Sequence, residues 1–147
     1  MPSTPNFTLP MLYAAQAQKE ITHNEALVLI DALLAGVIVA MANDPAGLSP
    51  QPGEAFIVGD APVGLWAEQA RRIAIFSDGG WRFAPPVTAM RLFDRTAGII
   101  RRFDGSNWLG YPAIADATGG SVVDAEARNT LAAVLVALRQ AGLAAVT

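Results

Sequence analysis

The feature that most constrains this chain is a series of short apolar runs, broken by Asp-Gly turns, between residues 54 and 111. "EAFIVG" (54–59), "IAIF" (73–76), "WRFAPP" (81–86), "TAMRLFD" (88–94), "GIIRRFDG" (98–105) and "SNWLGY" (106–111) are too short for stable helices. Their β-branched and aromatic content, punctuated by Gly, Pro and Asp, is the signal of antiparallel strands and hairpins. "GLWAEQARR" (64–72) reads as a short helix or turn between strands. The spacing therefore predicts an antiparallel β-meander domain over 54–111. Two segments echo each other: "IAIFSDGGW" and "IIRRFDGSNW" both place Phe five residues before Trp, as Phe76–Trp81 and Phe103–Trp108. Across a tight turn that spacing brings the two rings together on one face of a hairpin. Two such units make a pair of similar hairpins within one meander; an array would need more.

Helical patterns flank this region. Residues 1–42 read as an N-terminal arm followed by a helix. Prolines at positions 2, 5 and 10 argue for an extended start. Thr22-His23-Asn24-Glu25 matches the S/T-x-x-E capping box, with Thr22 as the expected N-cap and Ile21 and Ala26 as a weak hydrophobic staple. Leu27, Ile30, Leu34, Val37, Ile38 and Met41 then recur at helical steps, predicting a helix that runs on to Ala42. Val28, Leu29 and Leu33 widen its apolar surface, so it is expected to be covered on more than one side. Residues 43–53 are rich in breakers and read as a loop, and 112–122 as a second linker. Residues 123–143 read as a C-terminal association helix, with Asp124 as N-cap and Glu126 in the first turn, where the dipole favours an anion. Ala127, Leu131, Val134, Leu138 and Ala141 form a narrow seam with Leu135 beside it, and Gly142 fits an αL stop. A seam of about two heptads is marginal for one isolated helix, so Leu131, Val134, Leu135 and Leu138 are expected at an oligomer interface. The fold class is α+β.

Composition narrows the chemistry. The chain has no cysteine, which removes disulfides, Cys-ligated metal and a thiol nucleophile. Its single histidine, His23, has no second histidine with which to build a zinc site. None of Ser49, Ser77, Ser106 and Ser121 lies in a G-x-S-x-G elbow, and Gly79-Gly80 and Gly119-Gly120 are not phosphate loops. Asp60, Asp78, Asp94 and Asp104 fall at turns, where Asp serves the backbone. A glycosidase pair of carboxylates stays open, because pairing is spatial, but no catalytic residue, cofactor or metal is assigned; the expectation is no enzyme, with a capsule depolymerase the least favoured reading. A net charge of −3 without a basic run leaves no footprint for nucleic acid. The start has no basic region of the kind a secretory signal carries. The run from Ala26 to Ala42 is broken by Asp31 and is shorter than the roughly 20 residues of a membrane span. At 52% hydrophobic and 16% charged, the chain carries more apolar residues than a small monomer needs to bury, which favours contact between copies. Trp81 and Trp108 on neighbouring hairpins are the candidate carbohydrate contacts, weighed against the reading, preferred here, that both are core residues of a small sheet.

The segment "LPMLYAAQAQKEITHNEALVLIDAL" resembles the N-terminal signature of a family of prophage and gene-transfer-agent structural proteins long catalogued as a domain of unknown function. The residues that carry it are Gln16, Gln18, Lys19, Thr22, His23, Asn24, Glu25, Ala26 and Leu27. "GEAFIVG", "WAEQARRIAIF" and "DGGWRF" follow in the family's order, so that the likeness spans roughly residues 9–110. The final "DAEARNTLAAVLVALRQAGL" is similar to tail segments at the ends of phage fibre and spike proteins. The resemblance implies a structural component of a phage-like particle, virion or gene transfer agent, assembled in the bacterial cytoplasm. Longer relatives carry another domain after the hairpins, and its absence here favours a compact head-spike base or adaptor over a complete receptor-binding tail fibre. The implied partners are further copies of the chain on a threefold or fivefold axis and other virion proteins such as capsid or fibre. The alternative is a carbohydrate-binding module of such a particle that contacts host surface polysaccharide.

Overall fold

A computed structural model describes residues 2–13, 19–111, 113–120 and 124–145. Gln16 and Gln18 of the quoted signature, and Ser121, lie outside the described residues, as does the expected helix boundary at 123. Among the described residues the fold is α+β, with a helix towards each end and eight strands between them. The elements in chain order are α1 (Lys19–Ala35), β1 (Val37–Ile38), β2 (Met41–Ala42), β3 (Ala55–Val58), a 3₁₀ turn (Gly64–Trp66), β4 (Ile73–Ser77), β5 (Gly80–Ala84), β6 (Arg91–Asp94), β7 (Ile99–Phe103), β8 (Trp108–Leu109) and α2 (Ala125–Gln140).

Two expectations for the N-terminal half are corrected. The helix is already under way at Lys19, so Thr22 is an exposed interior position and not an N-cap. An N-cap needs extended backbone, which Thr22 does not have. At its other end α1 stops at Ala35 and does not reach Ala42. Gly36 takes φ +65, with its N–H donating to the Leu33 carbonyl at 3.2 Å, and the β-branched Val37-Ile38-Val39 continues in extended form. The helical spacing of Val37, Ile38 and Met41 therefore belongs to two short strands.

The strands form two sheets where the sequence suggested one meander. Sheet I has the order β2-β3-β4-β5, and sheet II the order β1-β6-β7-β8. Their registers correspond pair for pair. In sheet I, Ala55 faces Ile75, Phe56 faces Ala74 and Ile57 faces Ile73; in sheet II, Arg91 faces Arg102, Leu92 faces Arg101 and Phe93 faces Ile100. Each sheet begins with a two-residue strand parallel to the next, Met41–Ala42 beside β3 and Val37–Ile38 beside β6. Each ends in the expected hairpin: Phe76 pairs with Trp81 and Phe103 with Trp108, with ring centroids 5.0 and 5.3 Å apart. The echo in the sequence marks an internal repeat of a whole four-stranded unit.

The core sits between the sheets and under α1. One face of sheet I (Ala55, Ile57, Ile73, Ile75, Ala84) packs with Val28 and Ala32 of α1 and with Ile38, Leu92, Phe103 and Trp108 of sheet II. The other face of sheet I forms a second cluster of Phe56, Val58 and Ala74 around Trp66, which the 3₁₀ turn delivers. Trp81 closes this cluster edge-on, 5.0 Å from Trp66 and 5.8 Å from Phe56.

The polar residues of "THNEAL" and the lone Asp31 position the N-terminal arm and α1. Asp31 is fully buried and accepts from the Thr4 hydroxyl at 2.7 Å and from the N–H groups of Asn6 and Phe7, each at 2.8 Å. Burial pushes its carboxyl up, but these donors together outweigh that and hold it below the ordinary carboxylate value. Asn24 holds the arm at a second point, accepting from the Leu12 N–H at 2.9 Å and donating to the Leu12 carbonyl at 3.0 Å. Glu25 reaches the other way and accepts from the Arg82 guanidinium on β5. The charge that interrupts the apolar helix thus ties the turn at residues 4–7 to α1, while the arm closes on itself through the bridge between Ser3 and Pro10.

Candidate functional site

The residues named from the sequence as chemically interesting fall into separate places. His23 is exposed on α1. Trp81 and Trp108 do not form a shared platform. Trp108 is buried in the main core and donates its Nε1–H to the Arg71 carbonyl at 2.9 Å, while Trp81 is half-buried against the Trp66 cluster. Asp78 and Asp104 occupy hairpin turns; Asp104 accepts from the N–H groups of Asn107 and Ser106, which hold its carboxyl below the usual range. Asp94 is buried and takes the Arg101 guanidinium at 2.7 Å and the Ala97 N–H at 2.9 Å. Among the described residues no three or more His, Cys, Asp or Glu side chains gather in a way that could hold a metal ion. No helix among them is long and apolar enough to cross a membrane.

What the fold does assemble is an uncovered surface with two components. The first is α2. Its start is as the sequence indicated: Asp124 has extended backbone and accepts from the Ala127 N–H at 2.9 Å. Its stop is also as indicated. Gly142 takes φ +69, and the Leu143 N–H donates to the Leu138 carbonyl at 2.8 Å. Between these ends not one residue is buried. Leu131 and Val134 are 55% and 49% exposed, and Leu135 and Leu138 are only half-covered. The helix is braced from the side by the segment that leads into it. Arg139 donates to the Ile114 carbonyl at 2.7 Å, and Arg128 donates to the Gly119 carbonyl. Arg139 also approaches Asp116 at 3.5 Å. A helix of this length, with no packed face, lacks the tertiary contacts from which helices in proteins draw most of their stability.

The second component is the outer face of sheet II. Alternation along β6 and β7 places Arg91, Phe93, Ile100 and Arg102 on the side away from the core, and Leu109 of β8 joins them. Phe93 and Leu109 remain 39% and 44% exposed. Arg91 and Arg102 are directly opposed, an arrangement that costs stability within a sheet. A shallow depression of about 160 Å³ lies among Gly36, Arg91, Leu92, Phe93 and Ile100.

Both helices end at this face, on the same row of residues. The Gly36 carbonyl after α1 accepts from the Phe93 N–H, and the Gly142 carbonyl after α2 accepts from the Ile100 N–H, each at 2.8 Å. A side chain at Gly142 would meet the Phe93 ring at 3.3 Å, so that glycine is required by proximity as well as by its positive φ. Ala144 is then buried, and Ala145 forms a parallel bridge with Ala113. α2 therefore stands on sheet II by its last turn and tail and covers none of the face with its seam. The residues Leu131, Val134, Leu135 and Leu138, named from the sequence, are exposed or half-covered here; the sheet face was not named from the sequence. Its only sequence trace is the pair of arginines in "MRLFD" and "IIRRFD", and neither segment alone shows that they oppose one another.

Comparison with known proteins gives a family without an assigned activity. Residues 23–109 match the family described as "Protein of unknown function (DUF2793)", and the chain belongs to that family. The matched span runs from within α1 through β8 and so takes in both repeated sheets. No curated protein matches the chain.

Proposed function

With that membership as premise, we propose that this protein is a structural subunit of a phage-like particle, a homo-oligomeric head-spike base or spike/fibre component. The reading draws on the likeness of the "QAQKEITHNEAL" segment to prophage and gene-transfer-agent structural proteins. The single observation that carries its oligomeric part is the absence of any fully buried residue along α2, an element too short and too apolar on one side to stand alone in water. Assembly through Leu131, Val134, Leu135 and Leu138 covers that seam. A threefold or fivefold ring of such subunits offers its remaining surfaces to neighbouring virion proteins, capsid below and fibre above. In this role the chain works by geometry and cohesion, and no residue is assigned to catalysis.

Two experiments test this. Immunogold labelling of purified particles from a producing strain should decorate the virion; label confined to the cytoplasmic fraction would contradict the structural role. Replacing Leu131 and Leu138 with Asp should abolish self-association, because each change places an unpaired carboxylate in the seam.

A further inference from the structure

The internal repeat supplies a template for what covers sheet II. In sheet I, the face that carries Ala55, Ile57, Ile73 and Ile75 is covered jointly by the core face of sheet II and by α1, an apolar helix whose Val28 and Ala32 enter the core. That helix also offers one carboxylate, Glu25, to an arginine on the same face, Arg82, which pairs directly with Ile75. By register, the equivalent positions of sheet II are Arg91, Phe93, Ile100 and Arg102. There the apolar floor of Phe93 and Ile100 is retained, cations flank it, and no helix lies on it.

We infer that the outer face of sheet II is a docking site for α2 of a neighbouring copy, with the seam of that helix on Phe93 and Ile100 and its Glu126 against Arg91. This rests on the reading of α2 as the self-association element and names the surface that receives it. Three observations select this occupant. The first is complementarity of charge. Arg91 forms no ion pair among the described residues, and Glu126 lies in the first turn of α2 without one. The second is that α2 meets this face only through the turn after its C-terminus and lays no seam residue in the core of its own subunit. Arg128 and Arg139 tie it to the carbonyls of Gly119 and Ile114, and Gly142 fixes its last turn at the edge of the Phe93–Ile100 row. The third is that the face does not suit its own twin, because face-to-face stacking would bring four arginines together. A helix given by one subunit to the sheet of the next, and not returned by it, is a head-to-tail contact, which closes into a ring where the rotation between subunits closes.

The experiment is a charge exchange read by sedimentation equilibrium on the full chain, with circular dichroism of each variant as the control for folding. Arg91→Glu and Glu126→Arg should each weaken association at least about tenfold, and the double variant should recover most of the loss. Phe93→Ser should weaken association in the same way without reversing charge, and it serves if Arg91→Glu fails to fold. Single variants that associate like the wild type overturn the inference, as does a folded double variant no stronger than either single one. If Leu131→Asp with Leu138→Asp abolishes assembly while Arg91→Glu and Phe93→Ser do not, α2 still mediates assembly but onto another surface, and only the docking site falls. If the wild type itself is a monomer, the oligomeric reading falls with it.

Discussion

Sheets I and II share strand order, register and the Phe–Trp hairpin, yet one is inside the protein and the other half outside. Three substitutions account for most of the difference. Where sheet I turns Ala55, Ile57 and Ile75 into the core, sheet II carries Arg91, Phe93 and Arg102 on its outer face. A second difference lies in the connections. Sheet I gains the long 59–72 segment, which delivers Trp66 to its other face, whereas Asp94 and Ile99 in sheet II are joined by a short turn. The lesson is that repeating a backbone unit does not repeat its environment; the side chains at a few paired positions decide which copy becomes core and which becomes surface.

The largest effect expected from breaking this contrast is on assembly. Leu131→Asp with Leu138→Asp should leave the circular dichroism spectrum of the β region intact while removing every species above monomer in light scattering. Unfolding of the double variant would instead place α2 inside the stability of its own subunit. The next effect compares equivalent positions directly. Ile57→Ala removes fully buried atoms from the core and should cost about 2–5 kcal/mol in urea denaturation. At the matching place in sheet II, Phe93→Ala should cost the isolated subunit clearly less than Ile57→Ala, since Phe93 is already 39% exposed. Equal losses at the two sites would show that sheet II is covered in the free protein.

A smaller effect tests the arm that α1 carries on its far side. Asp31→Asn keeps the shape but leaves one side of the Thr4, Asn6 and Phe7 donors facing an amide, at a cost of roughly 2 kcal/mol at neutral pH. Because the carboxyl of Asp31 is held below its ordinary value of 3.8, its contribution is fully present above that value and is lost as pH falls through the lowered one. The gap in stability between wild type and Asp31→Asn should therefore close on acidification below about pH 4. A gap that persists unchanged at pH 2 would contradict the assignment.

How much of this was legible depends on the range of the interaction. The hairpin turns, the Asp124 cap and the Gly142 stop were read correctly because each is decided by a few neighbouring residues. The end of α1 was misread because Val37, Ile38 and Met41 happen to continue a helical spacing. Gly36 overrides that spacing, and its weight as a stop shows only once the β-branched run after it pairs with β6. Thr22-x-x-Glu25 satisfied a local rule while the helix began earlier, and Glu25 was committed to Arg82, 57 residues away in sequence. The smallest prediction follows from this. Thr22→Ala should change stability by only a few tenths of a kcal/mol, and in the stabilising direction, because alanine is the better interior helix former. A loss of about 1 kcal/mol would restore Thr22 as a cap. The division into two sheets was hidden for a related reason. Parallel pairing of β1 with β6 and β2 with β3 joins segments whose sequence separation no hairpin signal spans.

The measurement that bears most directly on the central claim is sedimentation equilibrium of the wild-type chain at micromolar concentration, run beside Arg91→Glu, Glu126→Arg and the exchanged pair. A closed oligomer is expected for the wild type, with weaker association for each single variant and recovery in the pair. A monodisperse wild-type monomer would contradict that claim.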